Sequence, residues 1–476
     1  MYGDGVTGSS PTLIMSTSLL APAQWAQSEF ALAELGDQRL TQRLVRIGTS
    51  LAQNPGGTLP QAFPTMKELK AAYRFFGQTK IGPEQIQASH WEQTRARCRE
   101  PGEYLLLEDT SELDYSTHGG CEDLGSIGNG RGRGLLLHST LAVRVEAWDL
   151  TQRPEGIVVG LMGQRCWRRF GPPKRGRETW KERIQRPRES QRWAAILEQA
   201  ERPPEHSQWV WIADREADFY EPMEHCRRGG VDFVIRAYRD RRLADQPGHL
   251  KDALAQLAVC GTLAVELRSR AGRPARTAQV QVRSGTVRLK GPERPDGDRP
   301  DFMVNVVEVC EAGPPAGVEP LHWLLLTSLP CQQWAGVQRI IGRYAARWWI
   351  EEYHKALKSG VGAEESQLQQ AYRIETLVAV LAIVAVRLLN AKWLARTRGD
   401  QPVDRQVFGA QALNLLAAKF KPPPGGWTHR SALVAVARLG GFLARKQDGL
   451  PGWQTIWRGW QRLMWMCEGL ETLNQS

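Results

Sequence analysis

Cysteine and histidine are scarce in this chain, and neither is arranged for metal binding. Eight cysteines and nine histidines are spread over 476 residues, and no CxxC pair occurs. Dispersed cysteines of this kind are typical of reduced thiols, and they argue against a disulfide framework or a structural zinc module. A metal site in this sequence is therefore expected to use carboxylate oxygens, which suit magnesium or manganese.

Export and membrane signals are also lacking. No Lys or Arg precedes Arg39, so the N-terminus has no basic region of a secretory signal, and residues 1–20 are predicted to form a flexible leader. Polar or charged residues interrupt every apolar run before it reaches the roughly 18 residues of a spanning helix. We therefore expect a soluble, cytoplasmic protein with no membrane partner.

The charge balance favours a polyanionic partner. Lys and Arg number 62 against 51 Asp and Glu, a formal charge of +11, and the length predicts two or three domains. Segment 165–192 alone carries eleven Lys or Arg against three Glu. It is expected to be a mobile loop, either a solvated linker or an arm that tracks phosphates through Arg175, Arg177 and Lys181.

The periodicity of the chain predicts an α/β protein with helical ends. Helices are expected at 28–53, 65–78 and 83–99, where Arg39 and Arg43 lie on a basic face that is either a DNA-binding surface or merely solvated. Strands and helices then alternate as in a mixed sheet with helices on its faces. Segment 240–330 reads as a β insertion with a hairpin at Ser284–Gly285, and the chain is helical after Gly360.

Acidic residues end two buried runs, "YLLLED" and "WVWIAD". Neighbouring strands would bring Asp109 or Glu108 close to Asp214, and spacing alone does not choose between the first two. A helix predicted over residues 343–360 could add Glu351. Three convergent carboxylates require neutralisation by divalent cations, as in a two-metal phosphoryl-transfer site. The same helical stripe holds Tyr344, Arg347, Lys355 and Lys358, which could meet DNA phosphates or bases; an ordinary solvated face is the alternative.

These residues resemble a known family. Two, three and six residues separate Tyr344, Arg347, Glu351 and Lys358 in turn, which is the YREK signature of bacterial DDE transposases of the IS-four insertion-sequence family. The resemblance covers nearly the whole chain and is closest to the Tn-five type, through segments such as "LAELGDQRLTQRL", "EDTSELDY", "LGSIGNGRGRG", "DREAD", "HWLLLTS" and "AVARLGGF". The longer leader and the basic segment 165–192 depart from that pattern.

The resemblance implies an RNase H-like catalytic domain at 91–395 with a β insertion at about 240–330. It further implies a DNA-binding domain at 21–90 and a helical dimerisation domain at 396–476. The implied reaction is cut-and-paste transposition: strand nicking, hairpin formation, hairpin opening and strand transfer into target DNA by a nucleoid-associated bacterial enzyme. The implied partners are the terminal inverted repeats, target DNA and a second copy in a synaptic complex, without a small-molecule substrate.

The resemblance also implies roles for individual residues. Asp109, Asp214 and Glu351 would form the DDE triad and hold two Mg²⁺ or Mn²⁺ ions. Trp323 is similar to a tryptophan that stacks a flipped-out base, Arg236 matches a basic residue near the DNA strand, and Glu216 and Asp218 match supporting positions. A binding-only repressor would be expected to lose an acid or the basic stripe. A glycosidase has no use for a Lys and Arg ladder beside its acids.

Overall fold

The computed structural model describes residues 21–169, 202–267, 275–294, 297–403 and 408–475. The leader predicted for residues 1–20 and most of the basic segment 165–192 lie outside these ranges. Helical periodicity also predicts a helix at about 190–202, and nearly all of it lies outside the described residues. Helices and strands alternate through the middle of the chain, and helices dominate both described ends. The expected mixed α/β class is confirmed.

The N-terminal part consists of five helices: α1 (Pro22–Phe30), α2 (Gln38–Gln53), α3 (Leu59–Ala62), α4 (Met66–Phe76) and α5 (Pro83–Cys98). The single helix expected at 28–53 is wrong, because the chain turns between α1 and α2. Gly36 has a positive φ of 78°, and the Asp37 carboxylate caps α2 by accepting from the Arg39 amide. The left-handed Gly36 lies in the turn after α1 has ended at Phe30, and the N-cap Asp37 starts α2.

Ten strands form one mixed sheet. They are β1 (Gly102–Asp114), β2 (Gly125–Ile127), β3 (Gly132–Trp148), β4 (Pro154–Trp167), β5 (Ser207–Ala213), β6 (Asp232–Arg236), β7 (Val259–Leu267), β8 (Arg276–Leu289), β9 (Phe302–Glu311) and β10 (His322–Thr327). Their order is β2-β3-β1-β5-β6-β10-β9-β8-β7, with β4 paired to β3. The central strands β1, β5 and β6 are parallel, and the remaining pairings are antiparallel.

The predicted β insertion extends this sheet through β7, β8 and β9. The hairpin expected at Ser284–Gly285 is wrong, because β8 continues through both residues and pairs them with Val307 and Val306 of β9. The Ser-Gly dipeptide is common in turns, but here Gly285 lies within a strand because a side chain at this position would not fit against its neighbour. A Cβ on Gly285 would lie 2.9 Å from the Leu257 side chain.

Helices cover both faces of the sheet, and alternating strand residues feed two separate cores. Helices α6 (Tyr220–Gly229) and α7 (Leu250–Gln256) cover one face; α8 (Trp334–Ala345), α9 (Trp348–Lys355) and α10 (Ala371–Thr397) lie on the other. Along β5, Trp209 and Trp211 enter the first core while Val210 and Ile212 enter the second. This alternation is what a strand buried on both faces requires.

The expectation that polar or charged residues interrupt every apolar run before it is long enough to span a membrane is wrong for α10. Within the described ranges it is the one helix long and apolar enough to span a membrane, and 89% of its apolar stretch is buried inside the protein. It packs against β4, α2 and α5. Such burial is that of a central core helix.

The C-terminal part contains α11 (Ala410–Lys419), α12 (His429–Leu439) and α13 (Trp453–Gln475). Helical periodicity predicts a helix over about 430–446, but α12 ends at Leu439, because Gly441 takes a left-handed φ of 96° and turns the chain away. Trp453 and Trp460 of α13 are 7% and 8% exposed and belong to this chain's own cores.

Candidate active site

The register of the central strands brings Asp109 and Asp214 side by side. Leu107 pairs with Ile212 in the parallel β1–β5 ladder, so two residues further on Asp109 is level with Asp214. Neighbouring strands are about 4.8 Å apart, and level residues point to the same face. The expectation that Asp109 ends its strand is wrong: β1 continues to Asp114, because β3 still pairs with it at Ser139 after β5 has ended.

Glu351 approaches from the helical face. The single helix predicted over 343–360 is instead α8 and α9, separated at Ala346–Arg347, followed by a π-helical turn, Ala356–Gly360. Arg347 lies at this junction. Its guanidinium donates to the Asp109 carboxylate at 3.1 Å and to the Glu351 carboxylate at 2.6 Å. One arginine therefore ties a sheet acid to a helix acid.

The charges of this cluster act on one another. Burial raises the pKa of Asp109 to about 6; Arg347 opposes the rise, while the charges of Asp214 and Glu351 add to it. The pKa of Arg347 is raised despite burial, because Asp109, Tyr344, Glu351 and Asp214 surround it. Three carboxylates thus lie near one guanidinium. Such an excess of negative charge destabilises the folded protein and is typical of functional sites.

The cluster fits a hard divalent cation by chemistry but is not preassembled to hold one. Its donors are carboxylate oxygens, which magnesium and manganese prefer. In the part of the chain that the structure describes, however, no group of three or more His, Cys, Asp or Glu side chains is positioned as a metal-ligand set. Arg347 holds two of the three acids, and the Asp214 carboxylate also accepts from the Glu216 amide at 2.8 Å.

A buried network behind Asp109 escaped the sequence analysis. Glu108 is fully buried, accepts from the Trp211 indole and lies 2.5 Å from His138 Nε2. The other nitrogen of His138 lies 2.9 Å from the Thr110 hydroxyl. Glu108 therefore points into the core while Asp109 faces Arg347, which settles the orientation that spacing left open. A histidine within the apolar run "LLLHSTLAV" was the signal available in the sequence.

Three aromatic or basic residues adjoin the cluster. Tyr344 is 6% exposed, and its ring meets that of Trp323 edge-on at 5.1 Å. Burial raises the pKa of Tyr344, and the nearby charges of Arg347 and Arg236 reduce this rise. Arg236 also donates to the His322 carbonyl at 2.9 Å. Tyr344 is therefore a core residue in this structure, not a member of the solvated stripe, and Trp323 is partly exposed above it.

The two lysines lie further along the helical segment. Lys355 is 60% exposed and pairs with Glu352 at 3.1 Å; Lys358 lies 3.5 Å from Glu364. Lys355 is the more accessible of the two, since Lys358 and Glu364 are each 28% exposed, and ion pairs near the surface are weak enough to exchange for phosphate.

The N-terminal helices supply an independent comparison. Residues 22–81 match a family of transposase DNA-binding domains. This match supports a DNA-binding transposase. It covers α1 to α4 and the residues up to Ile81, and thus a minor part of the chain.

The transposase DNA-binding segment carries Arg39 and Arg43 on α2. Arg39 is exposed and Arg43 partly so, while Leu44, Ile47 and Leu51 on the opposite side enter the core. An amphipathic helix with an outward basic side can lie against phosphates. Arg175, Arg177 and Lys181, the DNA contacts expected in the basic segment, lie outside the described residues.

Proposed function

We propose that this chain is a metal-dependent DDE transposase of the IS-four family, Tn-five type, which cuts an insertion sequence from DNA and joins it to a new site. The observation that carries the proposal is that Arg347 binds both Asp109 and Glu351, while Asp214 lies level with Asp109 on the neighbouring strand. The transposase DNA-binding match in the same chain supports DNA as the substrate. The expected domain bounds, dimer and bacterial cytoplasmic location remain part of this proposal.

Each side chain has a definite task in this mechanism. Asp109, Asp214 and Glu351 would hold magnesium or manganese, which when bound supplies Lewis-acid activation at the scissile phosphate. Arg347 and Lys358 would bind the phosphates of the DNA strand, and Lys355 would extend that contact. Tyr344 would buttress Trp323, and Arg236 would fix the hydroxyl of Tyr344. Most of the catalytic effect would come from positioning the strand against the acids.

The proposal requires Arg347 to change partners. Its guanidinium cannot neutralise Asp109 and Glu351 and bind a DNA phosphate with the same donors. With a divalent cation held by the acids, Arg347 would no longer be needed as their counter-charge and could donate to a DNA phosphate. Cation binding and DNA binding would therefore favour each other, since each removes a competitor of the other.

A cleavage assay tests this function. The substrate is duplex DNA carrying the inverted repeats that flank the coding region, incubated with and without Mg²⁺. We expect Mg²⁺-dependent nicking at the repeat end, and we expect Asp214→Asn to abolish nicking while DNA binding in EDTA persists. Binding without cleavage by the unmodified protein would favour a repressor, and absence of both would refute the proposal.

A further inference from the structure

A buried carboxylate–imidazole pair lies directly behind the acid cluster. The side chains of Glu108 and His138 are both fully buried, and Glu108 lies 2.5 Å from His138 Nε2. Their neighbours on this face of the sheet are apolar and include Leu106, Trp211 and Phe233. Taking such polar groups out of water is costly, and hydrophobic residues of similar size often stabilise a fold equally well or better. The needs of the core therefore do not explain why this pair is present.

The pair connects two strands beyond the end of their ladder. Leu107 and Ile212 are the last partners in the parallel β1–β5 ladder, so the segment of β1 that carries Asp109 lies past it. The Trp211 indole of β5 donates to the Glu108 carboxylate of β1 at this point. A side-chain hydrogen bond thus continues the connection where the backbone pairing has stopped.

His138 fixes the residue on the other side of Asp109. In the antiparallel β1–β3 ladder His138 lies opposite Thr110, and its Nδ1 is 2.9 Å from the Thr110 hydroxyl. The Thr110 amide in turn donates to the Asp109 carboxylate at 3.0 Å. Glu108 and Thr110 are therefore both held from the buried face, while Asp109 between them points to the opposite face.

These contacts act where the acids repel each other. The charges of Asp214 and Glu351 disfavour the ionised form of Asp109 and contribute to its raised pKa. Repulsion between Asp109 and Asp214 tends to spread the ends of β1 and β5, and the hydrogen bond from Trp211 to Glu108 opposes that movement. Ligands of a divalent cation must be held to within about 0.5 Å of their productive positions. A small displacement of β1 would therefore weaken a shared cation site.

We propose that Glu108 and His138 are positioning residues, which brace the Asp109 segment of β1 against β5 so that Asp109 and Asp214 keep the spacing that a shared divalent cation requires. The identity of the ligand rests on the proposed function. Neither residue touches the cation or the DNA in this arrangement. Loss of the brace lowers the affinity for the cation although all three acids of the cluster remain.

Mn²⁺ binding by the full chain without DNA tests the brace, and the electron paramagnetic resonance signal of the free ion measures it. We expect the double variant Glu108→Leu/His138→Leu to lose at least about tenfold in Mn²⁺ affinity, as is usual when groups that hold metal ligands are removed. Glu108→Gln is the conservative variant. Its carbonyl can accept from Trp211, and a neutral imidazole can accept from its amide and donate to Thr110, so its affinity should stay close to that of the unmodified protein.

Two other variants separate positioning from stability. Thr110→Val keeps the shape of a partly exposed side chain and removes only the hydrogen bond to His138, so it should fold normally and lose about threefold in Mn²⁺ affinity. Glu29→Gln breaks a second buried carboxylate–imidazole pair, that with His90, on helices that carry none of the three acids. It should lower the melting temperature and leave the Mn²⁺ affinity unchanged.

Unchanged Mn²⁺ affinity in Thr110→Val and in the leucine pair would overturn the proposal, and Thr110→Val alone decides if the leucine pair does not fold. An equal loss in Glu29→Gln would also overturn it, because the effect would then follow general stability. So would absence of Mn²⁺ binding by the unmodified protein. A Mn²⁺ affinity that depends on the brace, in a protein that does not nick DNA, would support the positioning role and refute only the enzymatic proposal.

Discussion

Replacement of Arg347 by glutamine should make the DNA-free protein bind divalent cations more tightly. The guanidinium holds Asp109 at 3.1 Å and Glu351 at 2.6 Å, and its side chain is only 15% exposed. Two unit charges about 4 Å apart interact by roughly 4 kcal/mol at an effective dielectric constant of about 20. Residual exposure and relaxation reduce this, and we expect a gain in Mn²⁺ affinity of at least about tenfold, ~1.4 kcal/mol.

The same substitution should weaken the folded protein without a cation. Two charge-assisted hydrogen bonds are lost and the acids repel each other, so the free energy of unfolding should fall by roughly 2–4 kcal/mol. Isothermal titration calorimetry with Mn²⁺ measures the binding, and thermal unfolding measures the stability. Arg343→Gln is the matched control: this arginine lies one turn away and pairs with Glu103 at 2.7 Å, outside the acid cluster.

The raised pKa of Asp109 gives the calorimetric experiment a pH dependence. Asp109 binds its proton more tightly in the folded protein than in the unfolded chain, so this proton stabilises the fold in acid. That stabilisation is lost as pH rises through the folded pKa of about 6. Cations compete with this proton, and Mn²⁺ affinity should rise over the same range. Mn²⁺ affinity that is equal or lower in Arg347→Gln would refute the idea that the guanidinium occupies the place of a cation.

Two further substitutions test the fold. Burial acts to raise the pKa of Glu29, but its partner His90, at 2.6 Å, and Arg97 together lower it. The ionised Glu29 carboxylate therefore stabilises the fold above the ordinary carboxyl range, and this stabilisation is lost as pH falls. Glu29→Gln should cost about 1–3 kcal/mol near neutral pH in urea unfolding, and a difference that does not shrink in acid would contradict this. Gly459→Ala should lower the melting temperature, because its Cβ would lie 1.7 Å from the Val436 carbonyl oxygen, whereas Gly469→Ala in the same helix meets nothing within 4 Å. Equal effects of the two glycine substitutions would show that this close helix contact does not limit stability.

Local patterns in the sequence were sufficient for most elements of the sheet. Long apolar runs predict strands at 135–148 and 155–167, and the structure has β3 at Gly132–Trp148 and β4 at Pro154–Trp167. Such runs are typical of strands that are buried on both faces. The convergence of Asp109 and Asp214 was expected from strand order, but their level alignment was not. It depends on the parallel register of β1 and β5, which no local pattern encodes.

The errors have a common physical origin in tertiary contacts. Ser284–Gly285 has turn chemistry, yet β9 supplies a continuous ladder and Leu257 fills the space that a side chain would need. Helical periodicity placed Tyr344 and Arg347 on one exposed stripe. The junction at Ala346–Arg347 instead leaves Tyr344 in the core, where Trp323 covers it.

That junction explains why Arg347 can serve two purposes. Because α8 ends before Arg347 and α9 begins after it, the arginine lies where the helical path shifts, next to the acid of the sheet and one turn before Glu351. In the protein alone its guanidinium compensates the acids, which would otherwise repel each other. In the proposed enzyme, Arg347 would exchange these acids for a phosphate of the DNA strand once a cation neutralises the acids. Arg347 would then stabilise the site in the absence of DNA and bind the substrate during the reaction, and this exchange of partners would be the step on which the proposed activity depends.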